Sequence, residues 1–275
     1  MSESFQARVA RDLVIVEGPD ATSFLQSLVS QDLEPVATGD AAHSLLLQPQ
    51  GKLLVDFYSV RTAAESWSCV CEGGFGAELA AGLDRFRIRV KAEIREVPVA
   101  AIALRGVVAP PGSDATVFEV DWPRVAAFDA VGSEAEIAAL SQAVDAPLID
   151  EQEYETARIE AGVPRQGLDT DERTIPQEAG LELRAVSFTK GCFVGQELVC
   201  RIDARGHVNR HLRRLRSGGS DLQPGLPVLL DGREVGEVTS AAGRVALAMV
   251  RREVEPGLVV EVAGSPASVE AVEAR

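Results

Sequence analysis

A chain of 275 residues has room for one large or two to three small domains, and 46% hydrophobic with 25% charged residues is an ordinary globular balance, which excludes disorder and coiled coil. The net charge of -15 repels phosphate backbones, so no nucleic-acid partner is expected. No basic stretch precedes an apolar run in MSESFQARVARD, and no window approaches the ~18 apolar residues of a membrane span, so the protein is expected to be soluble and cytoplasmic.

In chain order, residues 12–17 (DLVIVE) read as a strand, and Gly18-Pro19-Asp20 offers a turn with a capping carboxylate ahead of a helix carrying Phe24, Leu25, Leu28 and Val29. Ser44 to Gln48, the turn Pro49-Gln50-Gly51-Lys52 and Leu53 to Arg61 form a predicted β-hairpin. Trp67 to Cys71 is a further strand, on which Cys69 and Cys71 share one face as core thiols. A helix follows over 76–85 and a strand over 88–97. Helices interrupting antiparallel strands are the pattern of an α+β layer rather than a doubly wound sheet.

Past Pro98, strands are predicted at 99–104, 117–121 and 125–131, with a Pro-Pro-Gly loop at 110–112. Ser133 to Glu136 opens a helix as a near capping box, and a second helix covers Glu151 to Ala161 before stopping at Gly162-Val163-Pro164. Residues 164–189 show little periodicity, and so long an irregular run inside a compact chain points to function. Short strands at 211–216, 227–230, 234–240, 244–250 and 258–262, with Asp231-Gly232 as a tight turn, suggest a small β-barrel.

The run Lys190-Gly191-Cys192-Phe193-Val194-Gly195-Gln196-Glu197 reads as a site. It sets a thiol, a cation and two glycines just ahead of a helical pattern, where the helix dipole and Lys190 would favour the thiolate. The bland alternative is a cysteine packed under the helix as a small hydrophobe. Only three lysines stand against 24 arginines, which makes a lysine beside Cys192 less incidental. Cys192 and Cys200 are ~12 Å apart along a helix, too far for a disulfide. His207 and His211 have no evident third ligand and His43 carries no signal, so no metal site is expected.

The octapeptide KGCFVGQE, with Arg201 and Arg205-Gly206 behind it, resembles the KGC[YF]xGQE motif of the YgfZ-type folate-binding proteins that support iron-sulfur cluster assembly or repair. These are relatives of the aminomethyltransferase (T-protein) of the glycine cleavage system. ARIEAG around Arg158, IPQEAGL and GEVTSA are similar to segments of that superfamily, as are FLQSLVSQDL and LLLQPQGKLLVDF near the N-terminus. The resemblance implies a three-lobed ring of ferredoxin-like α+β elements with a C-terminal β-barrel around a tetrahydrofolate site. It divides the chain into a folate-binding α+β region of two intertwined lobes, 1–208, and a barrel, 209–275.

Carried residue by residue, the resemblance makes Glu178 the carboxylate that recognises the pterin, where a carboxylate can accept two parallel N–H bonds. It sets Asp56 near the T-protein's catalytic aspartate and Cys192 with Lys190 at the cavity rim as the working thiol. A strand-edge residue for Asp56 and a solvated loop carboxylate for Glu178 are the plain readings. Arg201, Arg205, Arg210, Arg213, Arg214 and Arg216 against the single acid Asp203 either grip a folate tail through its carboxylates, Arg201 and Arg205 foremost, or form a salt-bridge strip between lobes. Two functions remain open: an accessory protein whose partners are iron-sulfur client or assembly proteins, with turnover undecided, and a true aminomethyltransferase using Asp56. The T-protein carries Asp where this chain has Cys192, which favours the first. A thiol redox enzyme is a third reading, and it lacks an evident resolving cysteine.

Overall fold

The computed structural model describes residues 4–108 and 113–272; the Pro-Pro-Gly loop at 110–112 and the side chain of Arg205 lie outside what is described. The chain opens with β1 (Phe5–Arg8) and β2 (Arg11–Glu17), joined by Val9-Ala10, and continues through α1 (Ala21–Leu28), β3 (Ala41–Leu47), β4 (Leu53–Ala63), β5 (Ser66–Glu72), α2 (Gly76–Asp84) and β6 (Glu93–Val97). Strands β3-β4-β5-β2-β6 form one antiparallel sheet. The strand expected at 88–97 begins only at Glu93, because Arg89 has a φ of 60°, a left-handed conformation that breaks extension. Asp20 makes no side-chain cap on α1; its carboxylate accepts instead from the Lys91 N–H at 2.8 Å.

The second sheet takes β7 (Ala100–Arg105), β8 (Thr116–Glu119), β9 (Ala127–Gly132) and the short β10 (Leu148–Ile149), and it takes β1 from the start of the chain, in the order β10-β1-β7-β9-β8. The polypeptide therefore crosses between the sheets at Val9-Ala10 and again at Pro98-Val99. Helices α3 (Glu134–Ala143) and α4 (Glu151–Ala161) each start with a complete capping box, on Ser133 and on Asp150, and α4 ends at Gly162 with φ 72°.

Residues 164–189 hold one 3-10 turn, Pro176–Glu178, and the single-turn α5 (Glu182–Ala185); α6 (Gln196–Arg205) follows. Strands β11 (Arg210–Ser217), β12 (Pro227–Leu230), β13 (Arg233–Ala242), β14 (Val245–Arg251), β15 (Val259–Val262) and β16 (Ser265–Ala271) close a barrel in the order β11-β14-β13-β12-β15-β16. Asp231 and Gly232 both have positive φ, 51° and 74°, as a two-residue hairpin turn requires.

The first sheet buries both faces. Val14, Val16, Phe57 and Trp67 pack against Phe24 and Leu25 of α1, while Leu13, Val60 and Val70 meet Phe5, Ala103 and Phe118 of the second sheet. Cys69 and Cys71 are core residues as expected, and burial pushes the Cys69 thiol up to about 12. The fold class is the expected α+β architecture with a closed six-stranded barrel. No helix among the described residues is long and apolar enough to cross a membrane.

Candidate functional site

A cavity of about 410 Å³ opens between the two sheets. Its walls come from the β1–β2 crossing, from β3, β4 and β5 of the first sheet, from β7, β9 and the chain beyond β8 in the second, and from α4 and the following segment. This volume lies within the ordinary range of small-molecule sites.

Asp56 lines this cavity, and it does not stand alone. His43 on β3 faces Tyr58 on β4 as a cross-strand pair, so the two rings stack at 4.5 Å with 15° between their planes. From there the imidazole reaches two carboxylates: Nε2 lies 2.6 Å from Asp56 Oδ1 and Nδ1 lies 2.8 Å from Asp121 Oδ2. Burial alone would lower the pKa of His43, yet Asp56 and Asp121 outweigh it and raise the value to about 9. Asp121 is held in turn by its N–H, which donates to the Tyr58 hydroxyl at 2.7 Å. Gln166 fixes the Asp56 backbone, accepting from its N–H at 2.8 Å and donating to the Leu54 carbonyl at 2.7 Å. The sequence reading passed over His43. The signal was the hairpin itself, which brings position 43 beside a Tyr and close to an Asp.

The rest of the wall is a ladder of ion pairs. Arg11 and Arg105 share Asp129, Arg11 also pairs with Glu72 at 2.7 Å, and Arg165 bridges Glu72 and Glu155. Burial would raise the Asp129 pKa, but Arg105 and Arg11 hold its carboxyl below the usual range. The Arg105 guanidinium lies 4.5 Å from the centre of the Trp122 ring. Its two terminal nitrogens donate to the Leu104 and Phe128 carbonyls, to Asp129 and to the Tyr154 hydroxyl, while the buried Nε–H has no partner among the described residues. Asp56 Oδ2 likewise accepts no hydrogen bond there. The cavity thus offers an unfilled acceptor, Asp56 Oδ2, among aromatic walls.

The structure sets the octapeptide apart from this cavity, none of whose walls it forms. Helix α6 begins at Gln196 with Gly195 as N-cap, so Cys192 stands three residues ahead of the cap, beyond the first turn where a helix dipole acts. Lys190 does not serve the thiol either. Its ammonium spends its three donors on the Gln26, Val29 and Gln31 carbonyls, at 2.7, 2.8 and 2.8 Å, capping the end of α1. Burial lowers its pKa to about 8, with Asp32 and Glu34 drawing it back upward.

The other members of the run are anchors as well. Phe193 is buried among Leu45, Leu47, Leu181 and Val199, and Val194 packs against the α1 core. Gly195, at φ 79°, lies so close to the β3–β4 turn that a Cβ would stand 2.5 Å from the Gln48 carbonyl. Held this firmly, the loop presents Cys192 to solvent, exposed and free, so it is not the packed small hydrophobe of the bland alternative.

Glu178 is also placed elsewhere than expected. It is buried outside the cavity lining, where Arg210 grips both carboxylate oxygens at 3.0 Å and the Ile175 N–H donates at 3.0 Å. Its shape-matched partner here is a guanidinium of the barrel. Arg201 is exposed and away from the cavity, and the side chain of Arg205 lies outside those described. Arg214 and Arg216 both pair with Glu270, and Arg216 also with Glu160, which is the salt-bridge strip between lobes. The motifs ARIEAG and GEVTSA meet at Asp169, which binds Arg158 at 2.7 Å, Thr239 at 2.5 Å and Ser240 at 2.6 Å. Among the described residues no three His, Cys, Asp or Glu side chains converge as a metal site.

Residues 210–271 match the family described as the CAF17 C-terminal beta-barrel domain. Over 88% of its length the chain is 28% identical to the mitochondrial iron-sulfur cluster assembly factor IBA57 homolog of Phaeosphaeria nodorum, 69% of which is covered. Over 90% of its length it is 27% identical to an aminomethyltransferase of Bordetella petrii, with 77% of that protein covered. The crystal structure of glycine cleavage system aminomethyltransferase T from Bartonella henselae superposes with a TM-score of 0.85 over 98% of this chain and 86% of that one, at 20% identity, so the two share a fold.

Proposed function

We propose that this chain is a YgfZ-type accessory factor for the assembly or repair of iron-sulfur enzymes, which holds a reduced folate in its central cavity and offers Cys192 to a protein partner. One observation carries the reading: the carboxylate that a transferase would use is tied to His43, while the motif thiol stands outside the cavity on an anchored loop. Asp56 holds a hydrogen bond from the His43 imidazole on Oδ1 and keeps Oδ2 as an acceptor for a ligand N–H. The cavity therefore suits binding, and the thiol suits contact with a partner. The likeness to the Phaeosphaeria nodorum assembly factor supports the same division.

The residues present fit a folate. The aromatic walls of Tyr58, Trp122 and Tyr154 suit a flat bicyclic ring, and the open Asp56 Oδ2 can accept from the N–H groups along a 2-amino-4-oxopyrimidine edge. A reduced folate, when bound, carries one-carbon units on its ring and bridge nitrogens. Asp56 would orient the ring, Arg105 holds the Trp122 wall against which it lies, and the ion pairs around Arg11 and Arg165 keep the wall rigid.

The test has two arms. Calorimetry with tetrahydrofolate should show one site per chain, and Cys192→Ala should bind it as the parent does while failing to restore a client iron-sulfur enzyme in cells lacking the gene. Full activity in a glycine-cleavage reconstitution, unharmed by Cys192→Ala, would replace this reading with the aminomethyltransferase.

A further inference from the structure

We infer that Gln166 is a positioning residue of the cavity: its side-chain amide takes the place of a neighbouring strand beside Asp56, and through Asp56 it sets how tightly the cavity holds its ligand. The inference rests on the reading above for Asp56 as the acceptor of a ligand N–H.

The argument starts from the backbone of β4. Its pairing with β5 begins only at Phe57, opposite Cys71, so Leu54 to Asp56 run on into the cavity wall without that partner. Gln166 supplies one. Its Oε1 accepts from the Asp56 N–H at 2.8 Å and its Nε2 donates to the Leu54 carbonyl at 2.7 Å. A carbonyl and an N–H are the two groups that an adjacent strand would offer, and a primary amide is a side chain that carries both. Gln166 is 6% exposed, so its loss would leave two backbone groups unpaired where water reaches poorly.

Asp56 is thereby held at both ends. His43 holds the carboxylate through Oδ1 and Gln166 holds the backbone, which leaves Oδ2 for the ligand. Gln166 is itself anchored outside the cavity. It lies in the irregular run beyond α4, where the Arg165 N–H donates to Asp169 Oδ2 and the Gly167 N–H to the Thr170 carbonyl. Asp169 binds Arg158 of α4 and the Thr239 and Ser240 hydroxyls of β13. Eight residues past Gln166, the Thr174 carbonyl accepts from the Leu53 N–H at 2.8 Å, so the run is tied to β4 a second time. The barrel lends no residue to the cavity lining, and it reaches Asp56 by way of Asp169 and Gln166.

A double-mutant cycle separates positioning from mere support. Tetrahydrofolate is titrated by calorimetry against the parent, Gln166→Ala, Asp56→Ala and the double variant. Gln166→Ala should bind about tenfold more weakly than the parent. With the Asp56 carboxylate already removed there is nothing left to aim, and the same substitution should change affinity by no more than about twofold. Nitrogen-15 spectra of the His43 ring give a second readout, since a displaced Asp56 alters its contact with Nε2 and the ring signals should move in Gln166→Ala.

Equal losses in the two backgrounds would overturn the inference, and so would parental affinity in a Gln166→Ala protein that has lost stability alone. Either result leaves the folate reading standing. Failure of tetrahydrofolate to bind the parent overturns the folate reading instead, and the His43 spectra then decide: signals moved by Gln166→Ala support positioning of Asp56, and unmoved signals overturn it. Should Gln166→Ala fail to fold, Gln166→Met, which keeps the length and lacks the amide, takes its place in the cycle.

Discussion

A histidine that folding makes more basic ties the stability of the protein to pH. His43 moves from an ordinary 6.5 to about 9, so its contribution is fully present below pH 6.5 and is lost as pH rises through 9. The shift corresponds to roughly 3 kcal/mol. Lys190 acts the other way: its lowered pKa makes stability rise from about 8 toward 10.5, so the raw profile mixes the two. Denaturant unfolding of the parent and of His43→Gln should therefore differ most near pH 6 and converge above pH 9. Glu178→Ala tests the neighbouring assignment. Losing a buried carboxylate clamped by a partly exposed arginine should cost about 2 kcal/mol of stability, while tetrahydrofolate affinity in calorimetry stays at the parental value. At this scale the sequence was a partial guide. Asp56 was found through its resemblance and does line the cavity, but His43 and Asp121 become neighbours only through the meeting of two sheets, and their letters give no local sign of it.

The loop from Ser187 to Gly195 is the element whose role the sequence conveyed best in outline and least in mechanism. The eight letters were rightly read as a unit, yet most of their chemistry is anchorage, since Lys190, Phe193, Val194 and Gly195 each contact a different part of the first lobe. The ammonium could not be foreseen to turn toward α1, because helix C-terminal carbonyls become visible only once the chain is folded. Lys190→Met should release three carbonyls and loosen the loop, read as faster protease cleavage between 187 and 195 together with a changed rate of Cys192 alkylation. Gly195→Ala forces an L-residue to φ 79° and a Cβ onto the Gln48 carbonyl, and should cost about 2 kcal/mol or more in thermal unfolding.

For the molecule as a whole, strand and helix positions were legible wherever periodicity and capping agreed, as in α4 and the β12–β13 turn. They were not legible for β1 and β10, which are short and exist because a partner strand is waiting; β16 does alternate, with Ala267 and Val269 buried, and went unread. The barrel is joined to the rest through buried charge rather than through apolar contact alone. Asp169 is the main joint, meeting Arg158 of α4 with Thr239 and Ser240 of β13, and the Asp169 and Arg158 side chains are 0% and 3% exposed. Asp169→Ala should therefore lower stability by about 3 to 5 kcal/mol, and calorimetric scanning should show barrel and sheets unfolding in separate steps.

The two crossings between sheets also govern how this polypeptide can be made. β1 pairs with β7 in the register Phe5 to Arg105, so β1 must wait during synthesis for nearly a hundred further residues before this neighbour emerges. Until then the nascent segment carries an unpaired edge, and the first sheet has to assemble around a tail that belongs elsewhere. A translational pause shortly after residue 105 would let that partnership form before the barrel is synthesised, whereas uninterrupted elongation leaves the early strand open to stray pairing.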